Sequence, residues 1–336
     1  MKKAYDFSLR AHNTFGIEAR AKEFVIVLNE VELKEVLLEE VGQPILLLGG
    51  GSNILFTQDI DIKVIKNRIG GKRILEKFGH KVRIAVGAGE NWHELVLWSL
   101  QQGFGGLENL SLIPGTVGAS PIQNIGAYGV ELKDVFYGLK AMHVESGESR
   151  FFDKAESQFG YRDSIFKREL KGQYIITEVQ LDLTLYDHKL NTSYGAIEDW
   201  LREHELEAGI QEISQAVIAI RRSKLPDPQQ LGNAGSFFKN PEVSKRQSED
   251  LLATFPKMPW YPAQDATVKI PAGWLIEQCG WKGKRIGDAG CYDKQALVLV
   301  NYGSASGKEI LDLAQQITAS VQEKFDILLS PEVNII

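Results

Sequence analysis

Three consecutive glycines, Gly49-Gly50-Gly51, end the apolar run Pro44-Ile45-Leu46-Leu47-Leu48 and open onto Ser52-Asn53. Glycine costs backbone entropy on folding, so a chain keeps it where φ must be positive or where something must approach the main chain. A short buried strand running straight into three glycines predicts a loop of bare N–H groups. Such a nest binds an anion such as a pyrophosphate; an ordinary loop tip is the competing reading.

The 32 glycines crowd at 49–51, 70–71, 87–89, 103–106 and 115–129. The stretch Ile113 to Gly129 holds two prolines and four glycines in 17 residues, with polar Ser120, Gln123 and Asn124 set among apolar ones. Two glycine-lined turns in one half of the chain predict a long ligand carrying a phosphate and a flat ring, such as a flavin dinucleotide. An ordinary buried connection fits this stretch less well.

At 336 residues the prior is about two domains, with three possible. A composition 43% hydrophobic and 24% charged is that of an ordinary globular protein, long enough to bury several cores without disulfides or metal. The net charge of −6 argues against a general nucleic-acid binder and leaves room for a local cationic pocket. Two cysteines, Cys279 and Cys291, make no disulfide framework and fit a reducing compartment. The N-terminus lacks an apolar signal core, and no apolar run reaches the ~20 residues of a membrane helix. The expectation is a cytoplasmic protein with small-molecule partners, bound to neither nucleic acid nor membrane.

Phe24 to Leu28, Pro44 to Leu48 and Val82 to Val86 read as strands, and Glu30 to Val41 and Trp92 to Gln102 as helices. Lys140 to Val144 and Tyr174 to Leu181 are further strands, flanking the polar loop Phe159 to Ser164. Ile197 to Leu206 and Ile210 to Arg221 are helical, and Pro226-Asp227-Pro228 marks a domain boundary. Ala296 to Val300 reads as a strand, Gly307 to Phe325 as a helix, and Ile327 to Leu329 as a closing strand.

Several motifs fail on inspection. Gly303 to Glu309 mimics a phosphate loop but is one residue short and lacks the final Ser/Thr, so it reads as a helix start. Gly87-Ala88-Gly89 begins a dinucleotide fingerprint that Trp92 breaks. His93-Glu94 has Leu97 where a second zinc ligand belongs, and the six histidines are scattered; no metal site is expected. Ser236, in Gly232 to Pro241, has no nucleophile elbow or marked histidine base, which disfavours acyl transfer and leaves a structural serine or a proton donor. Glu332, after Ser330-Pro331, is a capping acid or a buried catalytic one.

These stretches together resemble the UDP-N-acetylenolpyruvoylglucosamine reductase family. The matching segments are Asn13 to Gly16, the triple-glycine Ser-Asn loop, Ile113 to Gly129, Phe159 to Lys167 and Lys224 to Pro228. Gly232 to Pro241, Ala272 to Ile276, Gln295 to Leu299 and Pro331 to Val333 follow in the same order. Each is weak alone; in register over essentially the whole chain they are specific. Leu190 to Gly195 looks like the tyrosine loop of the type I branch. One departure is Asn334, where the family often has arginine.

The resemblance implies an α+β fold: an FAD-binding unit of two subdomains (PCMH or VAO type) and a C-terminal α+β substrate-binding domain. The expected boundaries are 1–67 (joined by a C-terminal strand at ~326–336), 68–222 and 223–325. It implies a monomeric oxidoreductase of peptidoglycan precursor synthesis, hence of cell-wall biogenesis, cell shape and division. Non-covalent FAD would pass hydride from NADPH to the enolpyruvyl group of UDP-N-acetyl-3-O-(1-carboxyvinyl)-glucosamine. FAD would be held by Gly49, Gly50, Gly51, Ser52, Asn53, Pro114, Gly115, Ser120, Gln123, Asn124, Gly126 and Ala127. Catalysis would fall to Arg162, stabilising negative charge as hydride adds, to Ser236, donating the proton, and to Glu332, holding the enol carboxylate. Tyr161, Tyr194, Lys224, Asn240, Lys282 and Gln295 would bind substrate. Two rival readings are a flavin-dependent sugar or alcohol oxidase, which often tethers its flavin to a histidine or cysteine, and a nucleotide-sugar binding module without activity.

Overall fold

In the computed structural model, which describes residues 1–39, 41–263 and 266–336, the chain divides into two compact units. The first comprises 1–7, 21–50 and 60–221, and the second 8–20, 51–59 and 222–336. The chain therefore passes from the first unit to the second inside the triple-glycine loop, after Gly50.

The first unit carries two larger sheets and the short hairpin Gly126–Ala127 with Val130–Glu131. One orders the strands Lys2–Ser8, Arg20–Val27, Ile60–Asn67 and Ile45–Leu48, with the last three mutually parallel. The Glu30–Glu39 helix makes the crossover and buries Leu33, Val36 and Leu37 against Val25, Val27 and Ile65. The sequence pattern predicts this helix as far as Val41; Glu40 lies outside the described residues. The other sheet is antiparallel, in the order Ser149–Asp153, Phe136–His143, Tyr174–Thr184, Lys81–Gly87 and Lys72–Phe78. The helix Trp92–Gln101 starts on Asn91, whose side chain accepts from the Glu94 N–H, and packs Trp92, Leu95, Val96 and Leu100 onto this sheet's core. Helices Gly195–Glu203 and Ile210–Lys224 close a small core of their own around Ile197, Ile213, Val217 and Ile220.

The second unit holds the antiparallel strands Gly232–Ser236, Val298–Asn301, Ala289–Cys291 and Arg285–Ile286. The Gly307–Phe325 helix packs on them. Its start is a capping box: Ser306 Oγ accepts from the Glu309 N–H at 3.2 Å, and Glu309 accepts from the Ser306 N–H at 2.7 Å. The phosphate-loop mimic is thus a helix cap. The closing strand differs from expectation. Ile327 and Leu329 are buried but unpaired as strand, and the pairing falls on Asn334–Ile335, parallel to Ile54–Leu55.

Candidate active site

The two glycine-rich loops meet backbone to backbone inside the first unit. A Cβ on Gly50 would lie 2.8 Å from Gly115 Cα, and one on Gly49 would lie 2.8 Å from Thr116 Oγ1. Side chains at 49 and 50 would therefore force the loops apart. The Gly115 turn is fixed from behind: Trp92 N–H donates to Gly115 O at 3.1 Å, and Val117 N–H to Glu90 O at 2.9 Å. The main-chain groups of Gly49, Gly50 and Gly115 are left without covering side chains of their own, which suits them to a dinucleotide's phosphates.

Ser120 and Asn124 are buried and spent on the fold. Ser120 Oγ donates to Val117 O at 2.7 Å. Asn124 Nδ2 donates to Gly160 O at 2.9 Å, and its Oδ1 accepts from the Lys133 N–H at 3.1 Å. Their polar atoms hold the loop on which Gln123, Gly126 and Ala127 sit. Pro114 is exposed at the turn before Gly115.

The same bonds position Arg162. Ser164 Oγ donates to Ile122 O at 2.7 Å, joining the 120s loop to the 160s loop, and Arg162 Nη2 donates to Gly126 O at 2.6 Å. Arg162 sits at φ 53°, a left-handed conformation costly for a non-glycine residue and characteristic of functional loops. Lys167 Nζ donates to its carbonyl at 3.0 Å, and the exposed Tyr161 ring lies 5.6 Å from its guanidinium carbon.

Arg221 is a residue that sequence reasoning passed over. Its Nε is buried without a hydrogen-bond partner, and burial pulls its pKa below the ordinary guanidinium range. The Tyr128 hydroxyl hydrogen-bonds to it, and Arg162 is close enough for the two positive charges to repel. Burial raises the Tyr128 phenol against the opposing pull of Arg221. The Tyr128 ring packs edge-on against Tyr194 at 5.0 Å, so Tyr194 joins the same cluster. Two guanidiniums this close, with two phenols, form a place to hold an anion. In sequence, Arg221-Arg222 at a helix end reads as a solvated basic patch.

In the second unit, residues 236–239 and 330–332 run antiparallel. Glu332 N–H donates to Phe237 O at 2.8 Å, Lys239 N–H donates to Ser330 O at 2.9 Å, and Phe238 bridges Pro331. This brings the half-buried Ser236 and Glu332 onto neighbouring stretches of chain. A bulge between Asn233 and Ser236 breaks the register with Val298–Asn301, and Asn233 Oδ1 accepts from the Gly235 N–H at 2.9 Å. Such bulges re-aim a side chain. From the glycine loop, Gly51 lies at φ 71° against His12 and Asn13, where a Cβ would clash, and Ser52 follows half-buried.

The remaining predicted residues of this unit fall into two kinds. Lys224 is exposed, and Lys282 is exposed and paired with Glu277 at 3.0 Å; both are mobile point charges of the sort that meet a diphosphate. Asn240 Oδ1 accepts from the Ala272 N–H at 2.9 Å, and Gln295 Oε1 from the Leu297 N–H at 3.3 Å. Each keeps its amide donors turned from that bond.

Residues 22–150 match the model of an FAD binding domain, and residues 227–336 match that of the UDP-N-acetylenolpyruvoylglucosamine reductase C-terminal domain. The chain is 52% identical over 332 residues to the UDP-N-acetylenolpyruvoylglucosamine reductase of Flavobacterium johnsoniae, covering 98% of each chain. It is 50% identical to the Pseudomonas putida reductase, covering 98% of this chain and 97% of that one. The crystal structure of the Thermus caldophilus reductase superposes with a TM-score of 0.68 at 25% identity, over 99% of this chain and 98% of that one.

Proposed function

The chain belongs to the UDP-N-acetylenolpyruvoylglucosamine reductase family, and we propose that it reduces enolpyruvyl-UDP-N-acetylglucosamine to UDP-N-acetylmuramate with Arg162, Ser236 and Glu332 at the reacting group. It is an FAD-containing oxidoreductase that takes its electrons from NADPH. The near-complete coverage by reductases sets aside the oxidase reading.

Bound FAD would rest on the cradle of Gly49, Gly50 and Gly115, and it supplies the hydride chemistry that amino-acid side chains lack. The sheet of residues 2–67 and that of 72–184 are read as the two cofactor subdomains, and 223–325 as the substrate domain. Hydride addition at the terminal enol carbon drives negative charge onto the neighbouring carbon and its carboxylate. The Arg162 guanidinium offsets that charge. Ser236 donates the proton to the neighbouring carbon, and Glu332 holds the carboxylate end. Lys224, Lys282, Asn240, Gln295 and Tyr194 take the UDP end.

The observation that carries this assignment is the 2.8 Å bond from Glu332 N–H to Phe237 O, which lays the stretch of chain carrying Glu332 alongside the one that carries Ser236. No helix among the described residues is long and apolar enough to cross a membrane. A cytoplasmic location, which a soluble nucleotide-sugar substrate supports, and a monomeric state are part of the proposal. The test is NADPH oxidation dependent on the enolpyruvyl substrate, with the product mass checked. A protein that binds FAD but leaves NADPH unconsumed would support the inactive binding module instead.

A further inference from the structure

Ile60–Asn67 is an inner strand of its sheet, hydrogen-bonded on both sides and buried along most of its length, yet it carries two lysines. Strands in that position are ordinarily apolar, because a buried charge without a partner is costly. Lys63 has its partner in Glu23 at 3.2 Å. Lys66, only 8% exposed, has none among the described residues: its ammonium donates to the carbonyl oxygen of Gly49. The charge that acts on it is Arg68, of the same sign and just past the end of the strand. On the adjoining strands, Glu23 is engaged with Lys63, and Ile45–Leu48 has no charged residue. Glu90, which acts on Arg68, is held by Lys72 at 2.7 Å and by the Gly71 N–H.

The orientation of one peptide gives this cation a use. All described peptides are trans, so the N–H of Gly50 points away from the Gly49 carbonyl that Lys66 grips. A cation on the oxygen polarises the peptide and makes the opposite N–H a stronger donor. That N–H belongs to the loop that faces Gly115.

We propose that Lys66 is the fixed counter-charge of the cofactor diphosphate, acting from behind the glycine loop through the Gly49–Gly50 peptide. The proposal rests on the reading that this loop receives FAD. Burial and Arg68 already bring the Lys66 pKa down to about 8. Diphosphate in the loop favours the charged form, so binding at higher pH must take up a proton.

FAD titration into the cofactor-free protein, followed by quenching of flavin fluorescence between pH 7 and 9.5, tests this. The unmodified protein should bind progressively more weakly above about pH 8. Lys66→Met should bind about 10- to 100-fold more weakly at pH 7, the equivalent of a one- to two-unit pKa coupling, and should lose the pH dependence. Without cofactor, Lys66→Met should melt no lower than the parent at pH 7, since it lacks a buried charge with no counter-charge. Equal affinity at pH 7, parallel pH profiles, or a destabilised cofactor-free variant would each overturn the proposal; the last would make Lys66 a strut for the loop. Gly50→Val separates the two readings. If it binds FAD normally, the loop assignment itself fails, whatever Lys66→Met does.

Discussion

The side-chain amide of Asn334 donates to the main-chain carbonyl of Asn53 at 2.9 Å, and the Asn334 N–H donates to the same oxygen at 3.1 Å. Asn53 reciprocates through its own amide, which reaches the Glu332 carbonyl at 3.3 Å. The last strand is thereby tied to the end of the glycine loop from both sides of Asn53. Asn334, which stands where the family often has arginine, brings no charge to this tie.

Asn53→Ala removes the amide that holds the Glu332 main chain. One hydrogen bond is worth about 0.5–1.5 kcal/mol, so the fold should survive. The expected cost falls on the half-reaction that uses Glu332: reoxidation by substrate should slow more than reduction by NADPH. Stopped-flow flavin absorbance separates the two, and equal slowing of both would detach Asn53 from Glu332.

How much of this was legible in the sequence depends on whether the cause was local. The Gly307–Phe325 helix was legible to its ends, because Ser306 and Glu309 form its cap and its apolar residues follow one face. Ile327-Leu328-Leu329 misled, because apolar character alone does not separate a paired strand from a buried extended segment. The real pairing joins Asn334–Ile335 to a two-residue strand at Ile54–Leu55, far away in the chain and without a local pattern. Arg221 and Lys66 were invisible for the same reason. Their meaning comes from the absence of a carboxylate beside them among the described residues, which only the folded neighbourhood shows. The glycine loops were legible as sites, but their close approach at Gly50 and Gly115 was not.

Gly126→Ala should disturb Arg162 without emptying the cofactor site. The added Cβ would lie 2.9 Å from Glu131 Cγ, 3.0 Å from Arg162 Nη1 and 3.0 Å from Val130 O, and the two side chains are the parts able to move. Displacing the guanidinium from the Gly126 carbonyl should slow reduction of the enolpyruvyl group at least about tenfold, short of the ~100- to 1,000-fold expected for losing such a donor outright. Flavin content should stay at the parental level. Loss of flavin would instead make Gly126 a direct cofactor contact.

The two thiols should differ in reactivity. Burial raises both above the ordinary range, Cys291 to about 12, and Cys291 is fully buried whereas Cys279 is partly exposed. Thiolate is the reactive form, so at pH 8 only about one Cys291 in 10,000 is ionised, and access is blocked as well. Raising the pH through 9 should speed Cys279 alkylation while leaving Cys291 untouched until the protein unfolds. Peptide mass mapping after iodoacetamide treatment reads this directly. Early modification of Cys291 would mean that the Ala289–Cys291 strand opens.

Ser236→Ala separates the two half-reactions at the proton. Reduction of the flavin by NADPH needs a docked nicotinamide and no proton from Ser236, so that half should run nearly as in the parent. Reoxidation needs a proton at the carbon next to the enol carboxylate, and no other donor has been assigned there. If hydride and proton transfer are coupled, it should fall by more than the ~100- to 10,000-fold typical of losing a general acid. Substrate affinity should change little, since the UDP end is assigned to Lys224, Lys282, Asn240 and Gln295. The bulge that presents Ser236 depends on Asn233 and on Gly235 at φ 71°, neither of which the substitution touches, so the turn should hold. Stopped-flow absorbance follows each half in turn. Parental rates in both would remove Ser236 from the mechanism, and equal damage to both would make it a structural part of the turn beside Lys239.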